Sequence, residues 1–463
     1  MFGRKNINRR QFLKRSCLTS GAILGLPTIF TAETFASTRQ PSPNNRIQMG
    51  CIGLGGQGTF NMNAFLNNDL VQVVALCDVN PGSDDYDMLY QFPGTTTAGL
   101  SRAEQMVKAH YASRSKSGTF NGVVTYGDFR ELLARDDIDA VTVCTPDHWH
   151  GLISIAAAKA GKDIYCEKPL VNTVAEGRVV CNAVKEHGRI LQTGSHERSN
   201  DSVRYACDLV RNGRIGRLQT IYVNMPNSDN QHDMLRNNSD PKPAMPVPPG
   251  FDYNLWLGPA SWAPYTRERC HFWWRYIMEY GGGEMTDRGA HIIDLAQLIN
   301  DADDSGPVEI VAKGKRVGNG LYDCFIEYDF ECTYKNGVKM IGSSKDPRGL
   351  KLIGTDGWIF IHIHGGRLEA EPPSLLREFI GPGEFHVERS PGHHQNFLDA
   401  VLSRKKPVAH EEIGHRTATI CHLLNIAMET DRKLLWDPAR EQITNDPAAN
   451  RMLYRPPRSP WTL

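Results

Sequence analysis

Short apolar runs and segments of helical periodicity alternate over the first part of the chain. The apolar runs have the length and composition of buried strands and lie at 47–53, 71–77, 123–126, 140–145, 163–166 and 190–193. Helical patterns lie between several of them, at 128–134, 152–159 and 173–187, and the last opens with the capping box Thr173-Val-Ala-Glu176. Strands that alternate with helices predict a parallel sheet covered on both faces.

The pattern changes after residue 195, where strands come to outnumber helices. A helix at 203–211 and a strand at 219–224 precede residues 236–250, which hold five prolines and predict an irregular loop. Strand patterns separated by Gly and Asn turns then recur between about 308 and 368, at 323–334, 339–343 and 358–362. They predict one open, largely antiparallel sheet. Helical segments follow at 396–403 and 413–430.

A glycine-rich turn joins the first predicted strand to a helix. Its residues are Gly53-Leu54-Gly55-Gly56-Gln57-Gly58, and Asp78 lies twenty positions beyond Gly58, at the end of the second strand. This arrangement is the fingerprint of a dinucleotide-binding Rossmann domain, because the glycines let the backbone approach a pyrophosphate held at a helix N-terminus. The Asp78 carboxylate can accept hydrogen bonds from the adenosine ribose and would repel a 2′-phosphate, so NAD is favoured over NADP.

The chain is therefore predicted to be an α/β protein of two domains. Residues 46–195 are expected to form the NAD-binding Rossmann domain, and residues 196–445 an α+β domain with a large, open, mostly antiparallel sheet. The terminal helices are expected to pack back on the Rossmann domain. Residues 446–463 are expected to form a proline-rich tail.

The N-terminal residues predict export. The order Asn8-Arg9-Arg10-Gln11-Phe12-Leu13-Lys14 precedes a mildly apolar stretch, so residues 1–36 are predicted to be a cleavable twin-arginine signal and 37–45 a flexible leader. The apolar stretch is too short and too polar to span a membrane. Periplasmic or otherwise exported localisation follows. A soluble nicotinamide cofactor would be diluted away there, so the cofactor is expected to stay tightly bound.

The charge balance bears on possible partners, and the placement of the cysteines bears on disulfides. Basic and acidic residues balance at 52 each, and no basic block follows the signal, which argues against nucleic acid as a partner. The chain has eleven cysteines but no Cys-x-x-Cys pair, and several of them lie in apolar runs, where thiols behave as small hydrophobic groups. No structural disulfide is predicted.

Two further motifs carry candidate catalytic residues. Glu167-Lys168-Pro169 ends the fifth strand, where ligands of parallel sheets lie, so Lys168 is placed to reach the nicotinamide region. In the glycine block that starts at Gly281, Asp287 and His291 are four residues apart, which predicts one helix face for both. A carboxylate in that position can orient an imidazole and stabilise its charge.

Together with Thr145-Pro146-Asp-His-Trp-His150, these motifs stand in a characteristic order. The sequence resembles the Gfo/Idh/MocA oxidoreductase family, which includes glucose–fructose oxidoreductase and inositol dehydrogenase, over nearly the whole chain after the signal. The resemblance implies that Lys168 and His291 form an acid–base pair supported by Asp287, and that the Lys168–Pro169 bond is cis. It also implies a homo-oligomer, a dimer or tetramer, with the second domain supplying the substrate wall.

The resemblance completes the set of predicted cofactor-binding residues, because it places Thr145, Pro146 and His150 beside the cofactor. The set consists of Gly53, Gly55, Gly56, Gln57, Gly58, Asp78, Thr145, Pro146, His150, Glu167 and Lys168.

Aromatic residues just before the glycine block indicate the substrate class. Trp273, Trp274, Arg275 and Tyr276 are predicted to contact a sugar, because aromatic faces stack on sugar rings and arginine binds hydroxyl or carboxylate groups. Arg198 is a further candidate. Packing of the tryptophan pair into the core is the alternative, and the sequence leaves it open.

The predicted function is an exported NAD-dependent oxidoreductase that acts on a carbinol of a sugar or sugar derivative. Net oxidation outside the cell needs a second substrate to reoxidise the cofactor, so ping-pong sugar–sugar exchange is favoured. One alternative is an NAD-dependent glycosidase that oxidises, eliminates, hydrates and reduces with no net redox change. The resemblance speaks against it, because glycosidases of the resembled family tend to lack the lysine of Glu167-Lys168-Pro169, which is intact here. A non-catalytic sugar-binding protein is a further alternative, but it would not need the whole catalytic set of Lys168, Asp287 and His291.

A metal enzyme is the remaining alternative. It would use Asp287, His291 and Asp294, with His148 or His150, but their spacing shows no three-ligand cluster, so no metal site is predicted. His393-His394 predicts a loop, and His362-Ile363-His364 predicts part of a strand.

Overall fold

The structure is a computed structural model that describes residues 46–84, 97–318 and 320–463. The predicted signal (1–36) and leader (37–45) lie outside the described residues. Among the residues described, no helix combines the length and apolar character that a membrane crossing requires.

Six parallel strands form the first sheet, as the alternating pattern predicted. They lie in the order β3-β2-β1-β4-β5-β6, and each neighbouring pair is parallel. Their bounds are β1 Ile47–Ile52, β2 Val71–Cys77, β3 Val124–Tyr126, β4 Ala140–Val143, β5 Asp163–Cys166 and β6 Leu191–Thr193. β4, β5 and β6 are buried along their whole length, which is why they appear in the sequence as continuous apolar runs.

Helices cover both faces of this sheet. They are α1 Gly56–Leu66, α2 Leu100–Arg114, α3 Phe129–Leu133, α4 Asp147–Lys159 and α5 Val174–Glu186. α1 and α2 bury Phe65 and Val107 in one apolar cluster. α3, α4 and α5 bury Leu132, Ile153 and Val180 in a second. The packing confirms the predicted two-sided covering of a parallel sheet.

The predicted capping box at the start of α5 is present. The Thr173 hydroxyl accepts a hydrogen bond from the Glu176 backbone N–H, and the Glu176 carboxylate accepts one from the Asn172 backbone N–H at 3.0 Å. Glu176 is buried. That burial raises the pKa of the Glu176 carboxyl from its ordinary value of 4.5 to about 7, although hydrogen bonds from the backbone N–H groups of Asn172 and Thr173 oppose the shift.

We expect Glu176→Gln to change the pH dependence of stability. The unfolded chain ionises Glu176 near pH 4.5 and the folded chain only near 7. The contribution of this group to stability is therefore full below pH 4.5 and is lost as the pH rises to 7. Relative to wild type, Glu176→Gln should gain up to about 3 kcal/mol in unfolding free energy between pH 4 and pH 8. Urea unfolding at both pH values measures this, with the exposed Glu186→Gln as control. An equal offset at both pH values would contradict the expectation.

Nine strands form the second sheet, in the order β13-β12-β11-β7-β10-β9-β8-β14-β15. Their bounds are β7 Leu218–Asn224, β8 Glu309–Arg316, β9 Phe325–Thr333, β10 Lys339–Ser343, β11 Gly349–Gly354, β12 Trp358–His362, β13 Leu368–Glu371, β14 Leu434–Asp437 and β15 Gln442–Ile443. β7 and β10 pair in parallel and the other neighbours are antiparallel. The prediction of a mostly antiparallel sheet is confirmed.

The helices of this second part are α6 Asp201–Arg211, α7 Asn230–Asn237, α8 Tyr253–Leu257, α9 Gly289–Ile299, α10 His393–Ser403, α11 Glu411–Thr430 and α12 Pro447–Arg451. α6, α9 and α11 share one apolar cluster with the sheet, through residues such as Val203, Leu295 and Leu423. The proline-rich loop lies between α7 and α8.

The C-terminal helices pack against the Rossmann domain. Phe397 and Leu398 of α10 belong to the apolar cluster that holds Met49 and Phe65. Beyond α12, the ring of Trp461 meets that of Trp149 at 4.7 Å between centroids, so the proline-rich tail also lies on this domain. The prediction of a loop at His393-His394 is wrong, since these residues begin α10.

Candidate active site

A cleft opens at the carboxyl ends of β1, β2, β4 and β5. All eleven predicted cofactor-binding residues line it, and so do the three predicted catalytic residues Lys168, Asp287 and His291. Residues from the second part of the chain close its other side, among them Phe251, Trp256, His271 and Phe272. The geometry thus brings together the two groups of residues that the sequence predicted separately.

The glycine turn after β1 leaves no space for side chains at two positions. Gly53 has a φ of +82°, a conformation that favours glycine. A Cβ on Gly58 would overlap the carbonyl oxygen of Gly53 and lie 2.8 Å from its carbonyl carbon. Gly58 therefore allows α1 to begin directly against the turn.

The start of α1 suits an anion. Gly55 is the N-cap residue and has no side chain with which to cap the backbone N–H groups of the first turn, and no acidic residue lies in that turn. Gly55 and Gly56 line the cleft, so these N–H groups and the positive end of the helix dipole are available to a pyrophosphate.

Asp78 is held rigidly at the end of β2. Its carboxylate accepts backbone N–H bonds from Leu54 at 2.6 Å and from Asn80 at 2.8 Å. Burial raises the pKa of Asp78 to about 6, although these two bonds oppose the shift. The carboxylate therefore lies beside the glycine turn, as ribose binding in a Rossmann domain requires. The glycine turn, the helix start and Asp78 together fit a nicotinamide dinucleotide.

Buried polar groups join the elements around the cleft. The Glu167 carboxylate accepts hydrogen bonds from Asn61 at 2.7 Å and from Gln57 at 3.1 Å, which ties β5 to α1. The ring nitrogens of His150 lie 2.7 Å and 2.8 Å from the carbonyl oxygens of Pro169 and Thr145. The Lys168–Pro169 peptide is cis, as the family resemblance implied.

Lys168 and Asp287 form an ion pair inside the cleft. The Lys168 Nζ donates to the Asp287 carboxylate at 2.6 Å and to the Asp287 carbonyl oxygen at 3.1 Å. Although burial favours the neutral amine, the Asp287 carboxylate raises the pKa of Lys168. Burial likewise opposes ionisation of Asp287, but Lys168 and Arg275 outweigh it and lower its pKa. Both groups are therefore charged at neutral pH.

The predicted pairing of Asp287 with His291 on one helix face is wrong. α9 begins at Gly289, and Asp287 lies in the preceding turn, where its backbone N–H donates to Gly283 at 2.9 Å. That turn directs the carboxylate to Lys168. Asp287 thus acts on the lysine and not on the histidine.

His291 is available as a neutral base. Its side chain is 8% exposed, and among the described residues no hydrogen-bond partner reaches its Nδ1. Burial lowers the pKa of His291 well below its ordinary value, and the nearby positive charge of Lys168 lowers it further. The cleft therefore pairs a charged lysine with an uncharged imidazole.

Two other histidines surround His291. Its ring centroid lies 4.7 Å from that of His196 and 5.4 Å from that of His364. Sequence reasoning singled out neither residue as part of the site, and it expected a strand at His364. β12 in fact ends at His362, and His364 lies in the following turn with a φ of +64°.

The predicted substrate residues divide into two groups. Trp274 and Arg275 line the cleft, and the Arg275 guanidinium carbon lies 4.4 Å from the Trp274 ring centroid. Trp273 and Tyr276 lie outside the lining and pack in a buried aromatic cluster, where the Tyr276 hydroxyl contacts Gln231 and Glu284. Trp274 belongs to the same buried cluster, so core packing, the open alternative, describes both tryptophans, and Trp274 lines the cleft as well.

Arg198 also lies outside the cleft lining. Its buried guanidinium forms ion pairs of 2.7 Å with Asp294 and with Asp303. We expect Arg198→Met to lower the unfolding free energy by about 3–5 kcal/mol, because Asp294 is left buried without its cation. Urea unfolding measures this. Unchanged stability with a raised KM would instead support the substrate contact that the sequence predicted.

Asp147 is a cleft residue that sequence reasoning did not single out. It begins α4, is buried, and lines the cleft close to Lys168 and Asp287. Burial raises the pKa of its carboxyl well above the ordinary value, against the opposing charges of Lys168 and Arg275. Its place directly after Thr145-Pro146 was the available signal.

Two family models match nearly all of the described chain. Residues 47–195 match the NAD-binding Rossmann fold of an oxidoreductase family, and residues 200–463 match its C-terminal alpha/beta domain. The chain belongs to the Gfo/Idh/MocA oxidoreductase family. Its first domain is accordingly an NAD-binding Rossmann domain.

The curated relatives that the chain matches carry names of two kinds, glycosyl hydrolase and oxidoreductase. The chain is 28% identical over 230 residues to a glycosyl hydrolase family 109 protein of Shewanella pealeana, covering 47% of this chain and 42% of the relative. It is 27% identical over 235 residues to the uncharacterized oxidoreductase YrbE of Bacillus subtilis, covering 50% and 56%. The chain thus spans about half the length of the curated relatives it matches.

Solved structures of similar fold match most of the chain. The aldose–aldose oxidoreductase of Caulobacter crescentus, complexed with glycerol, is 18% identical, with a TM-score of 0.56 over 84% of this chain and 99% of that one. The WlbA dehydrogenase of Bordetella pertussis, in complex with NADH and UDP-GlcNAcA, is 16% identical, with a TM-score of 0.57 over 84% and 98%. At these identities the likeness shows the fold.

Proposed function

We propose that this protein is an NAD-dependent oxidoreductase that acts on a carbinol of a sugar or sugar derivative by hydride transfer. The observation that carries the proposal is the pairing of charged Lys168 with neutral His291 in a cleft that fits a dinucleotide. A carbinol must lose its hydroxyl proton when its carbon gives up hydride, and this pair has the protonation states to manage that proton.

The residues divide the proton chemistry between them. The bound dinucleotide supplies the hydride acceptor. His291 accepts the hydroxyl proton, because its imidazole is uncharged at neutral pH. The Lys168 ammonium stabilises the negative charge that develops on the same oxygen, and Asp287 holds that ammonium in position at 2.6 Å. In the reverse direction, the histidine returns the proton to a carbonyl oxygen.

NAD, rather than NADP, is the proposed cofactor. The proposal is supported by Asp78, because an acidic residue at the end of the second strand of a Rossmann domain is the group that binds the adenosine ribose, and two backbone N–H bonds hold this carboxylate in place. A 2′-phosphate on that ribose would meet a fixed negative charge at pH values above about 6. The carboxylate can instead accept hydrogen bonds from the ribose hydroxyls.

A sugar is the proposed substrate. Trp274 presents an aromatic surface to the cleft, and Arg275 adjoins it with hydrogen-bond donors. Relatives of the same fold support the class, since a levoglucosan dehydrogenase was solved with NADH and levoglucosan and the Caulobacter enzyme is named for aldoses. We further propose a homo-oligomer, a dimer or tetramer, which light scattering can test.

We also propose that the protein is exported with its cofactor bound, by the twin-arginine route that residues 1–36 predict. Outside the cytoplasm, lost cofactor would not be replaced. A second sugar would then reoxidise the cofactor in place, so the proposed cycle is ping-pong sugar–sugar exchange.

The second candidate function is an NAD-dependent glycosidase, and the glycosyl hydrolase family 109 relatives favour it. Such an enzyme would oxidise a glycoside carbon, eliminate the aglycone, add water and reduce again. Its residue requirements overlap with those above, because it begins with the same carbinol oxidation.

One experiment separates these functions. Protein purified after export is denatured, and any released nucleotide is identified by mass. A second sample is assayed on sugars and nitrophenyl glycosides without added nucleotide. Bound NAD with oxidised and reduced sugars supports exchange, and nitrophenol release supports the glycosidase. Turnover only with added NAD would contradict cofactor retention.

A further inference from the structure

Three side chains beside His291 form a cluster that the proposed proton chemistry does not use. The Nδ1 of His364 lies 3.0 Å from Oε1 of Glu197, and the Nε2 of His196 lies 3.6 Å from the same oxygen. One nitrogen from each histidine and one carboxylate oxygen all lie within 4.8 Å of one another. His196 lines the cleft together with His291, so the cluster lies at the wall of the candidate active site.

The two distances to the Glu197 oxygen, 3.0 Å and 3.6 Å, lie on either side of the edge of a metal coordination sphere. Zinc binds histidine nitrogen at about 2.0–2.1 Å and carboxylate oxygen at about 2.0–2.2 Å, so two ligands of one tetrahedral ion stand about 3.4 Å apart. The distance between His196 and Glu197, 3.6 Å, is too long for a hydrogen bond but close to that value. Hydrogen bonding within the cluster therefore does not account for the placement of His196.

The surroundings hold the carboxylate in place. The backbone N–H of His364 donates to the Glu197 Oε1 at 3.1 Å, and Asn200 Nδ2 reaches its Oε2 at 3.4 Å. Glu197 itself is buried. A buried, oriented carboxylate between two imidazoles is the arrangement that a divalent cation needs.

His291 lies against this cluster. It is more than nine-tenths buried, its Nδ1 has no hydrogen-bond partner among the described residues, and its ring packs against both His196 and His364. A buried imidazole nitrogen without a partner is costly in a finished site. In the proposed function the substrate hydroxyl provides that partner, and an ion at the cluster would hold that hydroxyl against His291.

We propose that His196, Glu197 and His364 bind one divalent transition-metal ion at the wall of the cleft. Two imidazoles and a carboxylate suit Zn²⁺, Mn²⁺ or Fe²⁺, and three protein ligands leave positions open. Those open positions receive a hydroxyl or carbonyl oxygen of the substrate, which orients the sugar against His291. The orienting role rests on the proposed function, whereas binding of the ion does not.

Arg348 contacts one of the proposed ligands, and this contact must break before an ion can bind. Its Nη2 lies 3.1 Å from His364 Nε2. Because guanidinium only donates, this contact keeps the His364 proton on Nδ1. Ligation through Nδ1 moves the proton to Nε2, so the arginine must turn away. We therefore expect Arg348→Met to bind the ion more tightly than wild type.

Metal binding is tested without turnover. The full-length protein is dialysed against Zn²⁺, Mn²⁺ or Co²⁺ in turn, and bound metal per chain is measured by plasma mass spectrometry, with the visible spectrum of the Co²⁺ form as a second readout. Glu197→Gln removes the carboxylate, and His364→Asn removes an imidazole while tolerating the positive φ. The matched control is His362→Ala, which removes a histidine two positions away that pairs with Glu369 outside the cluster.

One ion per chain is expected in wild type and in His362→Ala. Glu197→Gln and His364→Asn should bind it more weakly by over 100-fold, since loss of a ligand's hydrogen-bond partner alone costs about 10–100-fold. No retained ion in wild type, or equal binding in all four proteins, would overturn the site. A bound ion whose removal by chelator leaves sugar turnover unchanged would overturn the orienting role. Failure of the proposed function would appear differently, as an absence of sugar oxidation with the ion still bound.

Discussion

His291→Ala and Lys168→Ala are each expected to lower kcat/KM by about 10²–10⁴-fold, the usual contribution of a positioned acid–base group. Both variants should be purified with as much bound cofactor as wild type. The histidine variant lacks the neutral base, and the lysine variant lacks the cation that stabilises the developing alkoxide. Steady-state kinetics and nucleotide analysis of the same preparations measure the two quantities.

Lys159→Ala is the control for the lysine variant, because Lys159 is exposed at the end of α4, away from the cleft lining. It should retain wild-type kinetics. Near-wild-type turnover in either cleft variant would contradict the assignment of roles. Loss of cofactor along with turnover would instead indicate that the substituted side chain acts in binding.

Gly58→Ala is expected to release the cofactor. The added methyl group would overlap the Gly53 carbonyl oxygen, which is backbone and cannot move without reshaping the glycine turn. Overpacking of this kind costs about 1–3 kcal/mol, so the dissociation constant of NAD should rise by about 5- to 150-fold. Isothermal titration of cofactor-free protein measures it directly.

The matched glycine control is Gly383→Ala, where a new Cβ meets nothing within 4 Å and the chain lies outside the cleft. It should bind NAD as wild type does. Unchanged affinity in Gly58→Ala would show that the turn can move aside, and the close approach of backbone to pyrophosphate would lose its support.

Local patterns predicted the Rossmann domain well because its strands are buried on both faces. Its glycine turn, between a strand and a helix, is also specific to dinucleotide-binding domains. All six strands lie at the predicted apolar runs, and they are parallel, as the alternation of strands with helices predicted. α2 was not predicted, since only Ala103 and Val107 of its fifteen residues are buried and its apolar stripe is correspondingly weak. Amphipathic or fully buried elements have a hydrophobic pattern that can be recognised in the sequence, whereas a helix that mostly faces solvent has only a weak one.

Residues of the site were predicted only where each belongs to a recognisable local motif. Glu197 and His364 are 167 positions apart, and their contact depends on how the turn after β12 packs against the 3₁₀ turn at His196–Ser199. Asp287 shows a subtler limit. Its spacing from His291 suits a helix, but the helix begins two residues later, and one turn of backbone redirects the carboxylate to Lys168.

Neighbouring residues can also face different surroundings. Trp273 and Trp274 are adjacent in one short 3₁₀ turn, yet only Trp274 lines the cleft. The cluster of aromatic residues before the glycine block predicted contacts with a sugar. It could not predict which of the two tryptophan rings would line the cleft.

The packing of α10 against the first domain means that the core of this domain cannot be completed until this helix near the end of the chain has been synthesised. An emerging chain that ends near residue 195 leaves the surface around Met49 and Phe65 uncovered, because Phe397 and Leu398 have not yet been made. The NAD-binding domain is therefore finished by residues translated some two hundred positions later. A ribosome-bound fragment that ends there would expose that apolar surface, and the surface would be covered only once α10 has been made.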